Sequence, residues 1–258
     1  MEDLMRPIGV FDSGVGGISV LRELVRLMPN ENYIFYGDSM RAPYGSKTLE
    51  EVRQLTEEHV EELMGHHVKA VVIACNTATS ADVSILRSRY PDIPIIGIEP
   101  ALKPAVLCQE NAHVLVLATP MTIREKKFQT LMAQYESQAQ IWTRPCPDLV
   151  RFVERGEFSS RELYDYLNSV LADYRDKPVD AVVLGCTHFP FVKEAIRQAL
   201  GKDVRFFDGG EGVARETRRR LQEMGELAPE DVTGQVQFIN SDPDKLPLCQ
   251  MLMESGKN

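Results

Sequence analysis

Two segments of this 258-residue chain repeat one another around a cysteine. Ala70-Val-Val-Ile-Ala-Cys75-Asn-Thr returns as Ala181-Val-Val-Leu-Gly-Cys186-Thr-His. Each is an aliphatic run closed by a small residue, then a thiol, then groups that hydrogen-bond. A free cysteine is usually a small buried hydrophobe, and for either cysteine alone that reading stands. Recurrence at one place in a repeated pattern, where a strand hands over to a helix, argues for chemistry, because a helix N-terminus lowers a thiol pKa. A thiol of ordinary pKa ~8.5 can serve as acid or base near neutral pH once its surroundings tune it. Two of them on opposite faces of one carbon can racemise: one removes the α-proton, the other delivers a proton to the far side, and the roles reverse for the other enantiomer. The carbanionic intermediate would need donors around the substrate carboxylate, which N–H groups at helix starts supply.

Other groups surround this pair in sequence. His188 stands two residues after Cys186, either capping a turn or polarising the thiol and holding a carboxylate. Cys186 with His188 also fits a thiol nucleophile and its base, although that spacing does not guarantee contact. Cys75, Cys186 and His188 form no compact ligand cluster, so no metal site is expected. Asp12-Ser13-Gly-Val-Gly-Gly17 follows an apolar run and opens a helix, where glycines let backbone N–H groups reach an anion. Gly14-x-Gly16-x-x-Ser19 falls one glycine short of a dinucleotide fingerprint and equally fits a tight turn with no ligand. The turn-rich loop Tyr36–Gly45 offers Arg41, Tyr44 and Gly45. Cys108, Cys146 and Cys249 lack the strand-end context and read as structural. His59, His66, His67 and His113 are assigned no role.

Positioning such groups requires strands and helices in alternation. Strands are predicted at 8–11, 33–36, 70–74, 95–98, 113–118, 140–144, 181–184, 204–207 and 236–239. Helices are predicted at 17–28, 48–66, 78–90, 120–135, 160–174, 190–200 and 210–224. This order predicts an α/β fold with mainly parallel sheets flanked by helices, and the continuous apolar runs predict strands buried on both faces. Asp12 precedes Cys75 by 63 residues and Thr119 precedes Cys186 by 67, so the chain reads as two related halves. All four fall at carboxyl ends of strands, where open parallel sheets bind ligands. If the halves face each other, both thiols border one cleft.

Composition sets outer bounds. With 43% hydrophobic and 26% charged residues the chain is an ordinary globular protein. A net charge of -9 disfavours a nucleic-acid partner. No apolar stretch is long enough for a membrane span, no secretory signal is evident at the start, and five scattered cysteines fit a reducing cytoplasm.

The motifs carry a resemblance. The chain resembles the glutamate racemase family in Gly9-Val-Phe-Asp-Ser-Gly-Val-Gly-Gly17, the loop ending Pro43-Tyr-Gly45, Ala74-Cys-Asn-Thr-Ala78, Cys146-Pro-Asp-Leu-Val running to Glu154, and Gly185-Cys-Thr-His-Phe-Pro190, which together span most of the sequence. The resemblance implies two pseudo-two-fold related α/β domains with the active site between them, here 1–98 with 209–258 and 99–208. It implies interconversion of L- and D-glutamate with no cofactor, neither pyridoxal phosphate nor metal, supplying D-glutamate for peptidoglycan, often by a homodimer. It assigns Cys75 to the D-enantiomer and Cys186 to the L-enantiomer. Asp12 and His188 assist the thiols, and Glu154 is a further charged site residue. Asp12, Ser13, Tyr44, Gly45, Asn76, Thr77, Thr187 and His188 bind glutamate. Two other classes compete on residues alone: an oxidoreductase or cysteine hydrolase, and a non-catalytic amino-acid-binding module.

Overall fold

The computed structural model describes residues 2–255. Their strands are β1 (Ile8–Asp12), β2 (Tyr33–Gly37), β3 (Ala70–Ile73), β4 (Ile95–Gly97), β5 (His113–Ala118), β6 (Gln140–Pro145), β7 (Ala181–Gly185), β8 (Arg205–Phe207) and β9 (Val236–Asn240). Their helices are α1 (Ile18–Leu27), α2 (Leu49–Gly65), α3 (Asn76–Arg89), α4 (Leu102–Val106), α5 (Pro120–Arg124), α6 (Lys126–Ala133), α7 (Asp148–Glu154), α8 (Arg161–Val170), α9 (Lys193–Leu200), α10 (Gly210–Met224) and α11 (Leu246–Glu254).

All strand pairs are parallel. They form two sheets, ordered β4-β3-β1-β2-β9 and β6-β5-β7-β8. Reversing the second gives β8-β7-β5-β6, so β1 corresponds to β5, β2 to β6, β3 to β7 and β4 to β8. The repeat around the cysteines is therefore a repeat of topology, with β9 added at one edge. The inner strands β1, β2, β3, β5 and β7 are apolar almost throughout because both faces are covered, whereas the edge strands β6, β8 and β9 carry polar residues and are partly exposed. Val10 and Val72 face one core cluster, while Phe11, Val71 and Ile73 face another. Each such side chain contributes roughly 1.5–3 kcal/mol on burial.

Local signals set the helix ends. Thr48 and Glu51 form a reciprocal capping box at the start of α2, Glu51 N–H donating to Thr48 Oγ1 at 3.2 Å and Thr48 N–H to Glu51 Oε2 at 2.8 Å. Gly201 and Gly225, both with φ near +68°, end α9 and α10 in the left-handed conformation that glycine adopts without steric cost. The helix expected over 120–135 is instead two, broken at Glu125, whose ψ of 135° is extended. Met121 and Phe128 would share one face of a straight helix, but they belong to different core clusters, and the break lets each reach its own. Three helices escaped the sequence pattern: α4, α7 and α11 are short, and α4 and α11 carry an internal proline.

Candidate active site

The parallel registers bring the strand-end residues together. Phe11 pairs with Ile73, so Asp12 ends β1 next to the segment entering Cys75. Ala118 pairs with Gly185, which sets Thr119 beside Cys186. Contact between the sheets is direct. Thr187 Oγ1–H donates to Asp12 Oδ1 at 3.0 Å, Ser19 Oγ–H to the Thr187 carbonyl at 2.9 Å, and the hydroxyls of Thr77 and Thr119 lie 3.2 Å apart. Cys75 lies close enough to Asp12 and to Cys186 to feel the charge of each, and Cys186 directly precedes Thr187.

Asp12 is fully buried. Its Oδ2 accepts from Gly14 N–H at 3.0 Å. Burial raises its pKa to about 6, opposed by nearby His188 and by the Thr187 and Gly14 donors. Cys75 caps α3, Ala78 N–H donating to its sulfur at 3.5 Å, while its S–H donates to Ser13 Oγ at 3.4 Å. The helix start was expected to lower this pKa, and the structure overturns that. Burial first, then the Asp12 charge, push Cys75 up to about 12. Removing a sulfur anion from water outweighs the fractional charge of a helix terminus, so at neutral pH Cys75 is a thiol.

Cys186 has a different environment. Its Sγ lies 3.7 Å from His188 Nδ1. The other ring nitrogen, Nε2, lies 2.6 Å from Glu154 Oε1. Burial opposes charge on this imidazole, but Cys186 and Glu154 prevail and hold its pKa well above the usual histidine value. Glu154 is likewise desolvated. The His188 contact, Val15 N–H at 2.7 Å and Ser39 Oγ–H at 2.9 Å nevertheless keep its pKa below the ordinary carboxylate value.

The glycine turn has a purpose other than the one its motif suggests. A Cβ at Gly14 would stand 1.9 Å from Glu154 Oε1, and one at Gly16 would stand 2.3 Å from His188 Nδ1. Glycine is needed there because the second half of the chain packs its acid and its imidazole onto this backbone. The turn's N–H groups at Gly14 and Val15 are taken by Asp12 and Glu154.

The predicted site residues other than Arg41 lie around this junction. Ser13, Asn76, Thr77 and Thr187 are buried around the thiols. Gly45 packs on Thr119, where a Cβ would approach to 2.6 Å. Tyr44 is buried and donates to Asp38 Oδ2 at 2.6 Å. Arg41 is turned away, onto Asp38 at 2.8 Å and Glu58 at 3.0 Å. Thr119 lies at the strand end where it was expected, whereas Asp38, Ser39 and His59 were missed as site-building residues. His59 stacks on Tyr36 and places Nε2 3.2 Å from Asp38, which anchors the Tyr44 loop; an isolated histidine in a helix carries no sequence signal for that. Cys146 is fully buried and Cys249 lies in the core beside Asn240, as structural residues do. Among the described residues, no group of three or more His, Cys, Asp or Glu is placed to hold a metal, and no helix is long and apolar enough to cross a membrane. A surface cleft of about 750 Å³, lined by Arg26, Phe206, Asp208 and Arg215, contains none of the site residues.

Two like parallel sheets meeting over a pair of thiols, one beside an acid and one beside an imidazole–carboxylate couple, give the class: an α/β enzyme. Comparison with known proteins gives its family. Residues 8–217 match the Asp/Glu/hydantoin racemase family. The chain is 50% identical over 258 residues to the glutamate racemase of Clostridium botulinum (99% of this chain, 100% of that one). It is 52% identical over 241 residues to that of Clostridium novyi (93% of each). The crystal structure of glutamate racemase from Francisella tularensis in complex with D-glutamate superposes with a TM-score of 0.83 at 30% identity, covering 97% of this chain and 94% of that one. The Escherichia coli enzyme in complex with L-glutamate and an activator gives 0.83 at 31% identity, covering 96% and 95%. The chain belongs to the Asp/Glu/hydantoin racemase family and is a racemase.

Proposed function

We propose that this enzyme interconverts L- and D-glutamate by a two-thiol mechanism that needs no cofactor. The observation that carries the reading is the meeting of two repeated strand-end thiols at the Asp12–Thr187 contact. The glutamate assignment is supported by relatives whose names and bound ligands specify it. Cys186, beside a charged His188, takes the α-proton of L-glutamate onto its sulfur from one face. Cys75, which starts as a thiol, gives its proton to the opposite face and becomes a thiolate. The D-enantiomer runs the sequence backwards, with Asp12 beside Cys75 and His188 beside Cys186 assisting each transfer, and Glu154 holding His188. Ser13, Tyr44, Gly45, Asn76, Thr77, Thr187 and His188 supply polar and backbone groups for glutamate. Because these residues are buried, the Thr77–Thr119 and Gly45–Thr119 contacts must part for substrate to arrive. That motion suits two units, 1–98 with 209–258 and 99–208, related by a pseudo-two-fold axis. The same reading assigns the D-glutamate to peptidoglycan synthesis in the cytoplasm, by a homodimer.

The test is incubation with L-glutamate in D₂O, with no added cofactor. Optical rotation should decay to zero while deuterium appears at the α-carbon. Cys75→Ser and Cys186→Ser should each lose 10³-fold or more in turnover, on the order of what a positioned acid or base contributes. Full turnover in Cys75→Ser would sink the two-thiol mechanism.

A further inference from the structure

We propose that Ser39 and Asn240 are positioning residues for this reaction: they begin a one-way chain of hydrogen bonds that fixes a proton on Nε2 of His188 and leaves Nδ1 to face Cys186. The inference rests on the racemase reading above and adds two residues to its machinery.

The chain starts where its direction is unambiguous. Asn240, at the end of β9, is almost fully buried. Its Oδ1 accepts from Asp242 N–H at 2.9 Å. That contact fixes the orientation of the amide and places Nδ2 3.1 Å from Ser39 Oγ. An amide nitrogen only donates, so Ser39 Oγ accepts there, and its single hydrogen is free for its other neighbour. That neighbour is Glu154 Oε2, at 2.9 Å. On the other oxygen, Val15 N–H arrives at 2.7 Å and can also only donate. Donors converging on both oxygens favour the carboxylate. The 2.6 Å contact between Oε1 and His188 Nε2 is then an N–H donated by the imidazole. Nδ1 is the nitrogen left 3.7 Å from Cys186 Sγ, where a proton can pass to or from sulfur.

The chain crosses the molecule. Asn240 and Ser39 lie at the edge of the first sheet, while Glu154 and His188 belong to the second half. Lys245 adds a tie by donating from Nζ to the Glu154 carbonyl at 2.8 Å. The charged and titratable groups facing Glu154 are His188, Asp12, Lys245 and Cys249. His188 favours its charge, Asp12 disfavours it, and Lys245 is spent on the carbonyl. Ser39 and Val15 are the neutral donors that tip the balance.

Three variants test the proposal. Ser39→Ala removes the donor. Asn240→Asp keeps the volume but presents only acceptors, so Ser39 turns its hydrogen away from Glu154. Ser39→Thr restores the hydroxyl. In the first two, kcat should fall between about 3- and 10-fold with KM little changed, the worth of one hydrogen bond. The acid limb of the kcat/KM profile should move up by about half to one pH unit, because Glu154 takes a proton more readily. Enantiomers have equal free energy, so kcat/KM must fall equally in both directions. The primary α-deuterium isotope effect separates them: it should rise in the direction in which Cys186 removes the proton, and not in the other. Ser39→Thr should restore the wild-type profile. Side-chain ¹⁵N spectra of His188, recorded at a pH high enough for the ring to be neutral, should show the remaining proton on Nε2 in the wild type and a loss of that preference in Ser39→Ala and Asn240→Asp. Should Ser39→Ala fail to fold, Asn240→Asp provides every readout. A drop in kcat with unchanged pH profile, isotope effects and His188 spectrum would reduce these residues to structural supports and overturn the proposal. A wild-type enzyme that racemises nothing refutes the racemase reading instead, and the ¹⁵N spectra still decide whether the chain exists.

Discussion

Thr187 donates its hydroxyl to Asp12 across the junction of the two sheets, at 3.0 Å, joining the residue after one thiol to the acid beside the other. Thr187→Val keeps the shape and removes the donor. Asp12, already raised to about 6, should rise further and be largely protonated at neutral pH. Turnover at pH 7 should fall by about tenfold and recover as the pH is raised, which a pH–rate profile will show. A uniform loss at all pH values would mean that the hydroxyl serves packing only.

Two buried acids should make the protein more stable when they are removed. Asp12 and Asp82 are each 1% exposed or less and each raised to about 6, burial being the main cause. Such a group holds its proton in the folded state while the unfolded chain ionises. Its penalty is absent below about pH 4, grows through pH 4 to 6, and is constant above. Asp12→Asn and Asp82→Ala should therefore gain about 1–2 kcal/mol over wild type above pH 6 and nothing near pH 3.5, read by urea unfolding. Asp82 lies in α3 with neither carboxylate oxygen hydrogen-bonded, so its replacement should leave turnover intact, whereas Asp12→Asn should not. A gain that is the same at every pH would contradict the assignment.

Glycines separate into those that admit a neighbour and those that do not. Gly14→Ala drives a methyl into Glu154. Shifting a proton-transfer group by about 1 Å can cost on the order of 100-fold, and turnover should fall accordingly. A Cβ at Gly212, within α10, meets no heavy atom within 4 Å. Gly212→Ala should add roughly 0.5–1 kcal/mol by helix propensity, with turnover unchanged. Thermal melts and racemisation assays on the pair give the comparison.

Lys69 and Glu31 form a buried pair at 2.6 Å beneath the first sheet, Lys69 also donating to the carbonyls of Leu4 at 2.6 Å and Glu226 at 2.7 Å. Lys69→Ala leaves Glu31 charged and uncompensated in the interior. It should cost about 3–5 kcal/mol, measured by urea unfolding at pH 7. A loss below about 1 kcal/mol would show that water reaches the site.

The inner strands were legible because a strand buried on both faces is a short apolar run whatever its neighbours are, and the partly exposed edge strands β6, β8 and β9 were legible from β-branched and aromatic residues between turn signals. Short helices were less so: α7 follows Pro147 and spans only Asp148–Glu154, too few residues for a period to show. Within the site, the repeat itself exposed Cys75 and Cys186, and the residues after them followed by adjacency. Asp38, Ser39, His59 and Asn240 escaped. Their importance comes from partners 18 to 201 positions away, His59 on Arg41 and Asn240 on Ser39 among them.

The amino-acid sequence alone determined the two thiols, the strands that carry them, and the repetition that makes them a pair, because those are local patterns of residue type. Only the tertiary structure decided the rest. It buried Cys75 against Asp12 so that a helix start failed to acidify it, and it turned the glycine loop into a seat for Glu154 and His188. It also gave a serine and an asparagine far apart in the chain control over one imidazole proton. Desolvation and hydrogen-bond direction depend on which atoms surround a group in space, and no spacing along the chain specifies that.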